Sequence, residues 1–111
     1  MHVTSRGFPL FLTFDLDAET MWTGLKRYGV KATFFVPGII VDQRPQLMER
    51  ILEEGHEIAH HSYTHRWILG LSPQEEREEM EKGIAAIQRA SGRKPRGWRS
   101  PAAEISAVSL P

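Results

Sequence analysis

Two acids, Asp15 and Asp17, stand two residues apart in the stretch TFDLDAET, directly after an apolar run. A carboxylate taken out of water costs several kcal/mol unless it is paired, hydrogen-bonded or bound to a metal. The compensating groups must come from elsewhere in the chain. The stretch HHSYTH places His61 and His65 four residues apart. On a helical turn that spacing puts both imidazoles on one side, able to grip one ion. With Asp17 they form a set of two histidines and one carboxylate. Such a set leaves coordination positions for water and substrate, as a catalytic metal site requires. Zinc is the first expectation; cobalt, nickel or manganese fit the same donors. Asp15 is then placed to take a proton from a water polarised by the ion. Arg99 nearby would keep Asp15 ionised and oriented.

Each of these residues also has a plainer role open to it. Asp17 can cap the following helix, and Asp15 can cap a turn. Glu19 reads as a first-turn helix acid rather than a ligand. His56 and His60 alternate with apolar residues and read as structural histidines. Trp22, Trp67 and Trp98 can form a sugar platform or pack at a rim; Trp67 is the candidate substrate contact.

Positioning these side chains requires strands that end at one rim. PLFLTF (residues 9–14) is an apolar, β-rich run and predicts a buried strand. TMWTGLKRY (20–28) is a short helix candidate interrupted by Gly24. GVKATFFVPG (29–38) predicts a second strand, stopped by Pro37-Gly38. Leu47, Ile51 and Leu52 fall at helical spacing in 43–55, and HEIAH (56–60) predicts a third strand. The segment 72–92 is the clearest helix. Ser72 is its N-cap, Pro73 its first residue and Glu75 the partner in a capping box. Met80, Ile84 and Ile87 make its apolar stripe, and Gly92 ends it. RGWRSP (96–101) predicts a fourth strand or strand end. Alternating strands and helices imply a parallel sheet, whose sites form at the carboxyl ends of its strands. Asp15 and Asp17 follow strand one, His61 and His65 follow strand three, and Arg99 follows strand four.

The totals agree with one small α/β domain spanning 1–111. The chain has 111 residues, 41% hydrophobic and 25% charged, with a formal net charge of zero. No basic stripe points to nucleic acid, and no apolar run is long enough for a membrane span. Zero net charge favours self-association, so a homo-oligomer is expected. There is no cysteine, which leaves His, Asp and Glu as the metal donors. The amino-terminal stretch lacks a signal-peptide cleavage pattern, and the cytoplasm is the expected compartment.

At this point the chain resembles the polysaccharide deacetylase family, carbohydrate esterases with a chitooligosaccharide deacetylase homology domain. TFDLDAET resembles the first family motif, HSYTH the second and RSPAAE the third; GVKATFFVPG and GHEIAHH are similar to family segments too. The resemblance implies a partial (β/α) barrel of the deformed glycoside hydrolase/deacetylase type, here about four parallel strands with three helices. It implies a divalent metal and hydrolysis of a C–N bond, removing acetyl from an N-acetylated sugar of a polysaccharide or peptidoglycan. Asp15 would be the base, Arg99 its orienter, and Asp17, His61 and His65 the ligands; Pro101 would wall the groove. The FDLDAE form of the first motif is also similar to relatives acting on cyclic imides or ureides. A small amide is therefore an alternative substrate, and an inactive metal-binding fragment a third reading. The later family motifs, among them a general-acid histidine, have no counterpart after Arg99. The domain is expected to be incomplete and its turnover weak.

Overall fold

The structure, a computed structural model, describes residues 13–15 and 29–109. Strand β1 (Thr13–Asp15) is followed by β2 (Thr33–Val36), helix α1 (Gly38–Gln43) and helix α2 (Pro45–Glu53). Strand β3 (Glu57–His60) and helix α3 (Pro73–Ser91) complete the regular elements. Short 3₁₀ turns occupy Ile68–Gly70 and Pro101–Ala103. The strands lie parallel in the order β1-β2-β3, with Asp15 opposite Phe35 and Phe35 opposite Ala59. Beyond β3 the expected fourth strand is reduced to one parallel bridge, His60 with Trp98. The His60 N–H donates to the Gly97 carbonyl and the Arg99 N–H to the His60 carbonyl, both at 2.9 Å. This is a partial α/β barrel with its carboxyl ends aligned on one rim.

Strand alternation sorts the side chains into two layers. Phe14, Phe34, Val36 and Ile58 point to the helical side. They pack with Val41, Met48, Ile51, Ala86 and Ile87 of the three helices. Thr13, Asp15, Thr33, Phe35 and Ala59 belong to the opposite face. The site residues Asp15 and Phe35 thus share the face away from the helical core.

Several expectations change in detail. The part of the first strand before Thr13 and the helix expected over 20–28 lie outside the described residues. Pro37-Gly38 ends β2 but does not open a loop; the chain turns straight into α1, with Pro37 as N-cap. The helix expected over 43–55 starts at Pro45, because Arg44 adopts φ −128°, ψ 59° as the shared cap of α1 and α2. Proline lacks the N–H a continuing helix needs and disfavours α geometry in the residue before it. Helix α3 keeps its capping box: Ser72 Oγ accepts from the Glu75 N–H at 3.1 Å, and Glu75 accepts from the Ser72 N–H at 3.0 Å. Gly92 closes it in the left-handed conformation, φ 78°.

The buried face of α3 is not the stripe expected from Met80, Ile84 and Ile87. Glu76, Glu79, Gly83, Ala86 and Ile87 are buried, while Met80 and Ile84 are only partly covered. The helix is rotated so that two carboxylates face inward, where hydroxyls and backbone amides receive them. Gly83 permits the approach. A Cβ there would collide with the His60 ring and lie 2.7 Å from the Ser62 carbonyl oxygen. Replacing Gly83 with Ala gains about 1 kcal/mol of helix propensity but overpacks a contact whose repair costs about 1–3 kcal/mol. Gly83→Ala is expected to lower the urea midpoint of unfolding, and an unchanged or raised midpoint would refute the contact.

His60 is 2% exposed and fully engaged. Its Nε2–H donates to the Met80 carbonyl at 3.0 Å, and its Nδ1 accepts from the Ser62 N–H at 3.0 Å. Burial pushes its pKa down to about 4, despite the Met80 carbonyl acting in the opposite direction. His56 is also lowered, by burial and then by Lys31; its Nδ1 accepts from the Ala32 N–H. Both histidines bind protons more readily in the unfolded chain, so stability rises with pH across this window. It is fully present above the unfolded value of 6.5 and is lost as pH falls toward about 4. His60 alone accounts for about 3 kcal/mol of that loss. Denaturant melts should show stability already declining below about pH 6, ahead of carboxylate protonation; a flat profile there contradicts the assignment.

Candidate active site

At the carboxyl rim, Arg99 draws three segments together. Its Nη1–H donates to Asp15 Oδ1 at 2.7 Å and its Nη2–H to Thr13 Oγ1 at 2.8 Å. Its guanidinium lies 4.2 Å over the centre of the Phe35 ring, a cation–π contact that holds its plane. The Asp15 and Arg99 side chains are each 38% exposed. An ion pair that open contributes little to stability; its consequence is geometric. Oδ1 is occupied by Arg99, and Oδ2 turns toward His61 Nε2 at 4.0 Å.

His61 is oriented by the same residue. Its Nδ1 lies 2.6 Å from the Arg99 backbone carbonyl oxygen. A carbonyl only accepts, so Nδ1 carries a proton, and in the neutral imidazole Nε2 holds the lone pair. That lone pair is on the Asp15 side of a ring that is 1% exposed. The His65 ring stands edge-on to it, centroids 4.8 Å apart at 61°. The i, i+4 spacing therefore brings the imidazoles together, but not on a helix. The connecting turn instead contains left-handed Ser62 (φ 61°) and His65 (φ 62°). Ala102 and Ala103, just after Arg99, also have positive φ, at 56° and 57°. All four positive-φ non-glycine residues among the described residues flank this cluster. Such backbone strain costs about 1–3 kcal/mol per residue and concentrates at functional sites.

Asp15, Arg99, His61 and His65 are thus brought to one place. Asp17, the expected carboxylate ligand, lies outside the described residues, as do Glu19 and Trp22. His60 uses both ring nitrogens inside the fold, and His56 accepts the Ala32 N–H through Nδ1. Trp67 is 65% exposed. Trp98 is partly buried, and its Nε1–H points at Ser62 Oγ at 3.4 Å. Pro101 is corrected: it is among the most deeply buried residues, below 2% exposed. It shapes the turn after Arg99 from inside and presents no face to a groove. Reading the sequence missed Glu79, whose carboxylate holds the histidine turn. Its only signal was a place on the helix face shared with Gly83 and Ile87.

Two of the donors that a divalent ion would need stand side by side. His61 Nε2 is a neutral nitrogen donor with its tautomer set by a carbonyl, the usual arrangement for a metal-ligating histidine. His65 supplies a second imidazole beside it. Among the described residues no three His, Cys, Asp or Glu side chains close around one point; the third donor expected is Asp17.

A parallel α/β sheet that gathers a carboxylate, a guanidinium and two imidazoles at its carboxyl rim places them where (β/α) barrels carry their sites. The sequence profile of the polysaccharide deacetylase family matches residues 2–110, and the chain belongs to that family. It is 34% identical over 99 residues to the peptidoglycan-N-acetylglucosamine deacetylase of Bacillus cereus, covering 85% of this chain and 36% of that one. A family 4 carbohydrate esterase from Streptomyces lividans, solved with acetate, superposes with a TM-score of 0.79 at 32% identity. The match covers 89% of this chain and 54% of that one. A family 4 acetyl xylan esterase from Clostridium thermocellum, solved with a cobalt ion, gives 0.76 at 34% identity, with 88% and 51% covered. The chain therefore spans between about a third and about half of these three relatives.

The tautomer of His61 is directly observable. Long-range proton–nitrogen NMR is expected to show Nδ1 protonated and Nε2 bare at neutral pH. The opposite tautomer would break the link from the Arg99 carbonyl to a ligand nitrogen.

Proposed function

We propose that the chain carries the base-and-ligand portion of a deacetylase for N-acetylated sugars, of the peptidoglycan or chitooligosaccharide type. The observation that carries this reading is the double use of Arg99. Its guanidinium holds Asp15 and its backbone carbonyl sets His61, so base and ligand share one support. His61 Nε2 and His65, with Asp17, are the residues that would hold a divalent ion, zinc first. Such an ion supplies polarisation of the acetyl carbonyl and of the attacking water. Asp15 Oδ2 is the atom that accepts the proton of that water, because Oδ1 is already engaged by Arg99. Arg99 keeps the carboxylate from rotating away. Trp67 offers an exposed aromatic face for a sugar ring at the rim.

Two measurements on the 111-residue chain test the reading. Calorimetry with zinc should show one site, lost when His61 and His65 are both replaced by Ala. Acetate release from N-acetylglucosamine oligomers should exceed turnover of a cyclic imide, and Asp15→Asn should lower it by about 10²–10⁴-fold. Unchanged zinc affinity in the double variant removes the ligand assignment. Imide turnover without acetate release moves the activity to the cyclic-amide class.

A further inference from the structure

The turn that carries the two imidazoles has no regular secondary structure to satisfy its backbone. Its carbonyls are taken by α1: the Gly38 N–H donates to Ser62 O and the Ile39 N–H to Tyr63 O, each at 2.9 Å. Its amides turn the other way. The Ser62 N–H goes to His60 Nδ1. The Tyr63 and Thr64 N–H groups both donate to Glu79 Oε2, at 3.0 and 2.7 Å. The Thr64 hydroxyl donates to Glu79 Oε1 at 2.7 Å. Glu79 is 7% exposed, so a carboxylate has been taken out of water to receive three donors from two consecutive residues of this turn. A buried carboxylate is tolerable because those donors replace its hydration.

We infer that Glu79 is the positioning residue of the site: its two oxygens clamp Tyr63 and Thr64 and thereby fix how His61 and His65 face each other. The inference rests on the reading of those histidines as metal ligands. It also assigns a reach to the clamp. Both oxygens are used at once, Oε2 on two backbone amides and Oε1 on the Thr64 hydroxyl, so the length of the side chain matters more than its charge. A glutamine can reproduce the contacts. Its Oε1 accepts both amides, and its NH₂ faces the Thr64 hydroxyl oxygen, which then accepts. An aspartate keeps the charge but falls one methylene short.

The test compares Glu79→Gln, Glu79→Asp and Glu76→Ala. Glu76 is a matched control: a buried carboxylate one turn earlier on α3, bound to the hydroxyls of Ser106 and Ser109 rather than to the histidine turn. Zinc affinity is measured by competition calorimetry at a temperature where urea melts show each variant folded. Hydrogen exchange of the Tyr63 and Thr64 amides is followed without metal. Glu79→Asp is expected to weaken zinc by about tenfold or more and to speed exchange of both amides. Glu79→Gln and Glu76→Ala should stay within about threefold of the unsubstituted chain. The reverse order, with Gln weak and Asp intact, would make the role one of charge and overturn the clamp. So would unchanged affinity in both Glu79 variants, or an equal loss in Glu76→Ala. An unsubstituted chain that takes no zinc fails before any substitution; it overturns the ligand reading and this inference with it.

Discussion

Five residues, 61–65, must present two imidazoles to one point while lacking the hydrogen bonds of a helix or strand. A buried backbone amide or carbonyl left without a partner costs as much as a lost hydrogen bond. The fold meets that demand from two sides. The first turn of α1 takes the carbonyls of Ser62 and Tyr63, and Glu79 takes the amides of Tyr63 and Thr64. Ser62 and His65 are held in left-handed geometry between these supports. Other features follow from this arrangement. Helix α3 must approach closely enough for Glu79 to reach, hence Gly83 against His60 and Ser62. Helix α1 must begin at the end of β2, hence Pro37-Gly38. A Cβ on Gly38 would collide with the Tyr63 ring.

The second support is Arg99. Its interactions with solvent-facing groups add little stability, and its value lies in coupling distant parts of the chain. One residue bonds to β1 through its guanidinium, stacks on β2 through Phe35 and joins β3 through its backbone. Its carbonyl also selects the His61 tautomer. The parallel register makes this possible, since Asp15, Phe35 and Ala59 lie side by side at the same level of the sheet.

The interior of this small domain is therefore unusually polar at one end. Beneath the site, His60, Glu79 and Ser62 replace the aliphatic packing that continues around Phe34, Met48, Ile51 and Ile87. Neutral His60 is suited to this place. It donates to Met80 and accepts from Ser62 at once, and a second ring proton would displace the Ser62 amide. The same burial that keeps it neutral disfavours its protonation within the fold.

Local chemistry made much of this legible before any tertiary contact was known. The alternation of strands and helices required parallel strands. The Ser72-Pro73-Glu75 cap marked α3 to within a residue. The i, i+4 histidines, Asp15 and Arg99 marked residues that meet at the rim. Pattern alone misjudged α3, because hydrophobic periodicity cannot show that a buried acid has found donors. It drew the apolar stripe through Met80 and Ile84 and passed over Glu76 and Glu79. It also placed Pro101 on a wall, where the fold buries it. Which nitrogen of His61 is bare, which oxygen of Asp15 is engaged and which carboxylate holds the turn depend on partners 15 to 84 positions away along the chain. Spacing along a sequence records side chains that share one element; only packing decides which donors meet which acceptors across elements.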